Sequence, residues 1–177
     1  MDNKSIEKFN NIIKNNNQYK DDSGLWKSIQ LVFDCTEKKA KSRAKEYCNV
    51  ISLFAVCRAS DNIEVSLELF ISYGISSKKI REDGFIKASK KDLLKYYGMD
   101  ISMEYFENYS FVEDASVLDD SYFYQMKIKS RSGGWHFIGC YVKDNELYLS
   151  DSSNRGIGVL VKDVVSKKYF KWLLKIG

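Results

Sequence analysis

The 177-residue chain holds one histidine, His136, and four cysteines, Cys35, Cys48, Cys57 and Cys140. Imidazole titrates closest to neutral pH, so a nucleophile that draws an imidazole from its own chain must use His136. His136 follows Gly133, Gly134 and Trp135 and precedes Phe137 and Ile138, at the predicted start of a strand. Residues 143–145 read as a tight turn between that strand and the next. Antiparallel pairing around this turn brings the open ends of the hairpin together, and those ends are His136 and Asp151. An aspartate there can accept from one ring nitrogen and fix the tautomer. The matching nucleophile is Cys48, placed where a charged segment gives way to an apolar helix. The positive end and free N–H groups of a helix N-terminus favour a thiolate, and a neighbouring imidazolium favours it further. The chemistry implied is covalent catalysis by a thiol.

Each residue also has a plainer reading. A free cysteine is most often a small buried hydrophobe, which is how Cys57 and Cys140 are read. Cys140 shares a strand face with His136 but lies two pleats away. Cys35 follows Phe33 and Asp34 and is a candidate second thiol. His136, flanked by Trp135 and Phe137, fits a core edge, and Asp151 opens an Asp-Ser-Ser-Asn run of turn composition. Order, spacing and placement together favour the constellation over three independent coincidences.

The elements that must position these groups follow from hydrophobic period. Ile6, Phe9, Ile12 and Ile13 predict an amphipathic helix over residues 4–16, with a polar break after it. Residues 25–33 are apolar and fit helix or strand. Residues 48–58 are apolar on all sides and predict a buried helix. A second helix is expected from Asp61 as N-cap, with Glu64 completing a capping box and Gly74 as a left-handed stop. A third starts at Ser89, with Asp92 in its first turn and Gly98 as its stop. After about residue 120 the period shortens to two: strands are predicted over 122–129, 135–142, 146–150 and 156–161, and an amphipathic helix over 164–176. Helices followed by an antiparallel meander make an α+β chain, read as one domain over 1–177 with 1–24 as a possible helical extension.

A cysteine opening an apolar helix, a His136-Phe137-Ile138 strand and a following strand that ends in Asp151 resemble the papain-like cysteine peptidases. The pattern is most similar to the compact branch that processes bacteriocin leader peptides after a double glycine. The resemblance covers about residues 45–165 and rests on short motifs. It implies a papain-like fold, a Cys48–His136–Asp151 triad, no cofactor, and a peptide or protein as substrate. Two positions depart from the family. Ser42 stands where a glutamine about six residues before the cysteine helps form the oxyanion hole, and Gln30 lies further back. Ser152 replaces the usual proline after the aspartate. Losing one oxyanion donor typically costs about 10²–10³ in rate, so the alternative is a catalytically impaired papain-like domain that binds peptides or other proteins.

Composition bounds the rest. Hydrophobic residues make up 44% and charged residues 29%, an ordinary globular balance. The net charge of +4 is spread along the chain. The richest basic runs, over 38–43 and at Lys167, Lys168, Lys171 and Lys175, are interleaved with apolar or acidic residues, so no dedicated nucleic-acid role is expected. No cysteine pair has C-x-x-C spacing and one histidine cannot build a cluster, so no metal is expected. The N-terminus shows no signal-peptide core and no run spans a bilayer, which predicts a cytoplasmic protein with reduced thiols. Proline is absent, so Gly, Asn, Asp and Ser must make the turns.

Overall fold

The computed structural model describes residues 1–60 and 63–177. The helical half comes first: α1 (Asn3–Asn15), α2 (Gly24–Phe33), α3 (Glu37–Ala44), α4 (Cys48–Ala59), α5 (Leu67–Ser76) and α6 (Lys90–Tyr96). Four of these helices start on a serine or threonine whose hydroxyl accepts a first-turn N–H: Ser23, Thr36, Ser66 and Ser89. Such caps satisfy donors that would otherwise be orphaned. α1 uses Asp2 in the same way. α4 has no side-chain cap and is buried along almost its whole length.

The second half is a six-stranded, fully antiparallel sheet: β1 (Met103–Phe106), β2 (Phe123–Lys129), β3 (Trp135–Lys143), β4 (Glu146–Ser150), β5 (Ile157–Leu160) and β6 (Phe170–Ile176), in the order β1-β6-β2-β3-β4-β5. The architecture is therefore α+β, with helices N-terminal and strands C-terminal. Both sheet faces are covered. α1 and α4 lie on one face, where Phe123, Tyr141, Trp172, Leu174 and Ile176 join the helical core. Tyr124, Met126, Ile128, Ile138 and Cys140 point to the other face and are covered by Val112, Ala115, Leu118, Val161 and Val165. These come from short connections that include α7 (Ser110–Glu113) and α8 (Val161–Val164).

The first helix is an integral part of this core. Phe9 and Ile13 are fully buried over Gly139 of β3, where an added Cβ would fall 2.4 Å from Phe9 Cζ and 2.8 Å from Ile13 Cδ1. Glycine is what lets α1 sit this close to the strand.

Three expectations are corrected. Residues 170–176 form a strand rather than the end of a helix. β6 lies between β1 and β2 and is buried on both faces, with Trp172 and Leu174 toward the helices and Leu173 toward the second core. Two-sided burial erases the alternation that marks a strand, and the apolar run then imitates a helix. The second helix starts from Ser66; Glu64 precedes it in non-helical chain, and Asp61 lies outside the described residues. Gly74 is a packing position within α5, where a Cβ would fall 2.3 Å from Ile80 Cδ1, and the left-handed residue after the helix is Lys78 at φ 59°. The stop at Gly98 matches expectation, with φ 81° just beyond α6.

Candidate active site

The hairpin that carries two of the candidate residues is built as its sequence implies. β3 pairs with β4 from Gly139↔Ser150 to Lys143↔Glu146. Asp144 and Asn145 turn the chain with φ 51° and 61°. Positive φ at both central residues matches the right-handed twist of the strands, and Asn and Asp tolerate it. His136 and Asp151 emerge together at the open end, with His136 Nε2 2.8 Å from Asp151 Oδ1. Asp151 is 1% exposed. The same Oδ1 accepts from the backbone N–H and the hydroxyl of Ser153, each at 2.8 Å. Arg155 Nη1 donates to Oδ2 at 3.3 Å. Asp151 is thus a turn former and a histidine partner at once.

Cys48 opens α4 near the His136 ring, close enough for its sulfur to favour the ring's charged form. With Nε2 turned to the aspartate, Nδ1 is left for the thiol. Burial works against a charged ring, but the hydrogen bonds and charges of Asp151 and Cys48 outweigh it and raise His136 to about 9. Burial also disfavours the Asp151 carboxylate, yet the hydrogen bond from His136, its charge and the two donors of Ser153 hold it below the usual range. The ring thus lies between an aspartate and the Cys48 sulfur, and both favour its protonated form.

The remaining sequence candidates fall apart from this cluster. Ser42 is exposed on α3 and Gln30 half-buried on α2, and among the described residues neither hydrogen-bonds Cys48, His136 or Asp151. The Cys48 backbone N–H is without a partner among the described residues, as first-turn N–H groups commonly are. Cys57 and Cys140 are fully buried, and burial pushes both thiols up. Cys35 is half-buried near the end of α2. Half of the basic run on α3 is paired in place: Lys41 with Glu37 at 2.5 Å and Arg43 with Glu82 at 3.0 Å.

Two positioning residues were not anticipated. Gln18, in the break after α1, is 2% exposed. Its Nε2 donates to the carbonyls of Ala44 (2.9 Å) and Lys45 (2.7 Å), just ahead of Cys48. Its Oε1 accepts from Ser152 Oγ at 3.2 Å, and its N–H donates to the Ser152 carbonyl at 2.7 Å, just after Asp151. One side chain therefore ties the approach to the nucleophile to the segment that bears the aspartate, and both of its amide hydrogens are engaged. Gln125 of β2 plays the corresponding part beneath the helix. Its Nε2 donates to Ser52 Oγ (2.7 Å) and to the Asn49 carbonyl (3.2 Å), pinning the first turn of α4 to the sheet. A lone glutamine in a polar stretch carries no sequence signal for such a role. We expect Gln18→Ala to cost about 2–4 kcal/mol in urea unfolding, because it orphans two buried carbonyls and a hydroxyl. A loss under about 0.5 kcal/mol would show that water replaces the amide without penalty.

No family model, curated protein or solved structure matches this chain. Among the described residues no helix is long and apolar enough to cross a membrane, and no group of acidic, cysteine and histidine side chains is placed to hold a metal.

Proposed function

We propose that this chain is a papain-like cysteine hydrolase acting on an amide or related acyl bond, with Cys48 as nucleophile, His136 as acid–base and Asp151 as the residue that orients His136. The observation that carries the reading is one imidazole ring bonded to a buried carboxylate and set beside the cysteine that opens α4. The helix-then-sheet order and the resemblance of the His136-Phe137-Ile138 and Asp151 segments support the papain-like assignment.

The steps follow from this arrangement. The proton shared by Cys48 and His136 resides on the ring as the sulfur attacks the carbonyl carbon, forming the S–C bond and opening the C=O double bond to an oxyanion to which the Cys48 N–H is free to donate. As the C–N bond breaks, His136 gives its proton to the departing amine. Water then attacks the thioester while His136 takes a proton from it, releasing the acid and returning the thiol–imidazole pair. Asp151 holds the ring through Nε2 throughout and keeps its charge.

A second reading, a peptide-binding domain without turnover, is favoured by the serine, Ser42, where the family it resembles has its oxyanion glutamine. Alkylation separates pair from no pair. Iodoacetamide at pH 6, read by peptide mass spectrometry, is expected to label Cys48 well ahead of Cys35, and His136→Ala to slow Cys48 by about tenfold or more. Equal rates in the two proteins would remove the catalytic reading.

A further inference from the structure

A trough of about 470 Å³ begins at Asn49, the residue after the nucleophile, and continues past Ile86, Ser89, Lys90 and Met103 to Tyr105. Lys91 also lines it, and on the sheet side Tyr105 joins it to an aromatic group beside it. Phe137, the residue after His136, packs edge-on to Trp172 at 6.0 Å, and Trp172 packs against Tyr105 at 5.2 Å. Trp135 and Tyr105 are half exposed, 52% and 51%. Two ammonium groups lie on these rings. Lys90 Nζ sits 4.7 Å from the Trp172 ring and 5.0 Å from Phe137. Lys127 Nζ sits 4.2 Å from Trp135 and 5.6 Å from Phe137.

Among the described residues no carboxylate pairs with either lysine; Asp92, two residues beyond Lys90, is engaged by the Ser89 hydroxyl at 2.7 Å. Lys41, Arg43 and Lys162 each pair with a carboxylate. Lys90 and Lys127 instead stand together on partly desolvated aromatic rings. Burial, then the charge of Lys127, lowers Lys90 to about 8. Burial, then Lys171, lowers Lys127. An incoming anion relieves both costs, and a buried charge-assisted contact is among the stronger polar interactions available.

We propose that this trough is a binding subsite for an acidic side chain of a peptide, with its carboxylate held by Lys90 and Lys127 and its apolar neighbours laid against Phe137, Trp172 and Tyr105. The proposal rests on the hydrolase reading only in calling the peptide a substrate: Asn49, the residue after Cys48, lines the trough, and Phe137, the residue after His136, packs on Trp172 beside it. Lysines interleaved with aromatics also suit single-stranded nucleic acid. Lys90 and Lys91 are the only cations lining the trough among the described residues, too few for a polyanion track, so the peptide is the favoured occupant.

The experiment uses full-length Cys48→Ala, which cannot turn over. Immobilised protein is equilibrated with octapeptide libraries in which one position is fixed as Glu, Gln, Leu or Lys and the rest are randomised, and retained peptides are sequenced. Glu is expected to be enriched over Gln by about tenfold at one position, with apolar residues beside it, and the enrichment to disappear in Cys48→Ala/Lys90→Met/Lys127→Met. Circular dichroism confirms that the triple variant is folded. No preference for Glu, or a preference that survives loss of both lysines, overturns the proposal, as does tighter retention of a 20-mer oligothymidylate than of any Glu library. Because nothing here depends on turnover, failure of this binding test and failure of the alkylation test are separate results.

Discussion

Replacing His136 with alanine is expected to lower acyl transfer by about 10²–10⁴-fold, the usual contribution of a positioned acid–base group, and Cys48→Ala to abolish it. The probe is p-nitrophenyl acetate, whose acetyl group is small enough to reach the sulfur without a specificity pocket. The wild-type chain should give a burst of p-nitrophenolate as the acetyl-thioester forms, followed by slower release. The pH profile carries more information than the rate. His136 is held near 9 by Asp151 and Cys48 against the opposing effect of burial. Proton donation to the leaving group therefore persists through neutral pH and fails as the pH rises through about 9, where an unperturbed imidazole would fail near 6.5. An amide analogue of the probe, with an amine to protonate, should show this alkaline fall more steeply than the ester. A profile that breaks near 6.5 would mean that the ring is not engaged as the geometry has it. A burst that survives in His136→Ala would mean that the sulfur reacts without it.

The hairpin was legible because its signals are local. Asp144 and Asn145 suit left-handed backbone, and the period-two residues on either side fix which ends meet. The juxtaposition of His136 and Asp151 follows from that register alone. The start of α4 was legible from the change in character at Cys48, and that of α6 from Ser89 and Asp92. What escaped depended on partners distant in sequence. β6 is a strand because β1 and β2 flank it and two cores claim its faces, and nothing within residues 170–176 states this. Gln18 is a staple only because Ala44, Lys45 and Ser152 converge on it across gaps of more than a hundred residues in one direction. The aromatic residues between Tyr96 and Phe111 divide among several roles. Tyr97 stacks on Phe70 in the helical half, Phe106 and Phe111 pack together at the second core, and Tyr105 turns to the trough. Tertiary contacts decide among these roles, and spacing does not encode them.

Asp151 is expected to govern stability as well as chemistry. Its side chain is fully buried and receives His136, Ser153 and Arg155. Removing one partner of a buried ion pair typically costs about 3–5 kcal/mol, because the charge left behind has no compensation. Asp151→Ala should therefore cost about that much, more than Asp151→Asn, which keeps the volume and an acceptor oxygen. The two residues act at opposite ends of the pH scale. Asp151 sits below its ordinary range in the fold, so its contribution is complete above about 4 and is lost as the pH falls through its lowered value. His136 sits at about 9 in the fold against about 6.5 in the unfolded chain. Its contribution is complete below about 6.5, where both states carry the proton. Between 6.5 and 9 unfolding releases that proton, so rising pH favours the unfolded chain, and the contribution is gone above about 9. The difference between the two values corresponds to about 3 kcal/mol. Urea midpoints of wild type and His136→Ala should accordingly be furthest apart near pH 6 and converge toward pH 9.5. A gap independent of pH over that interval would show that His136 stabilises the fold by packing alone, and would remove the ion pair from both the stability argument and the mechanism.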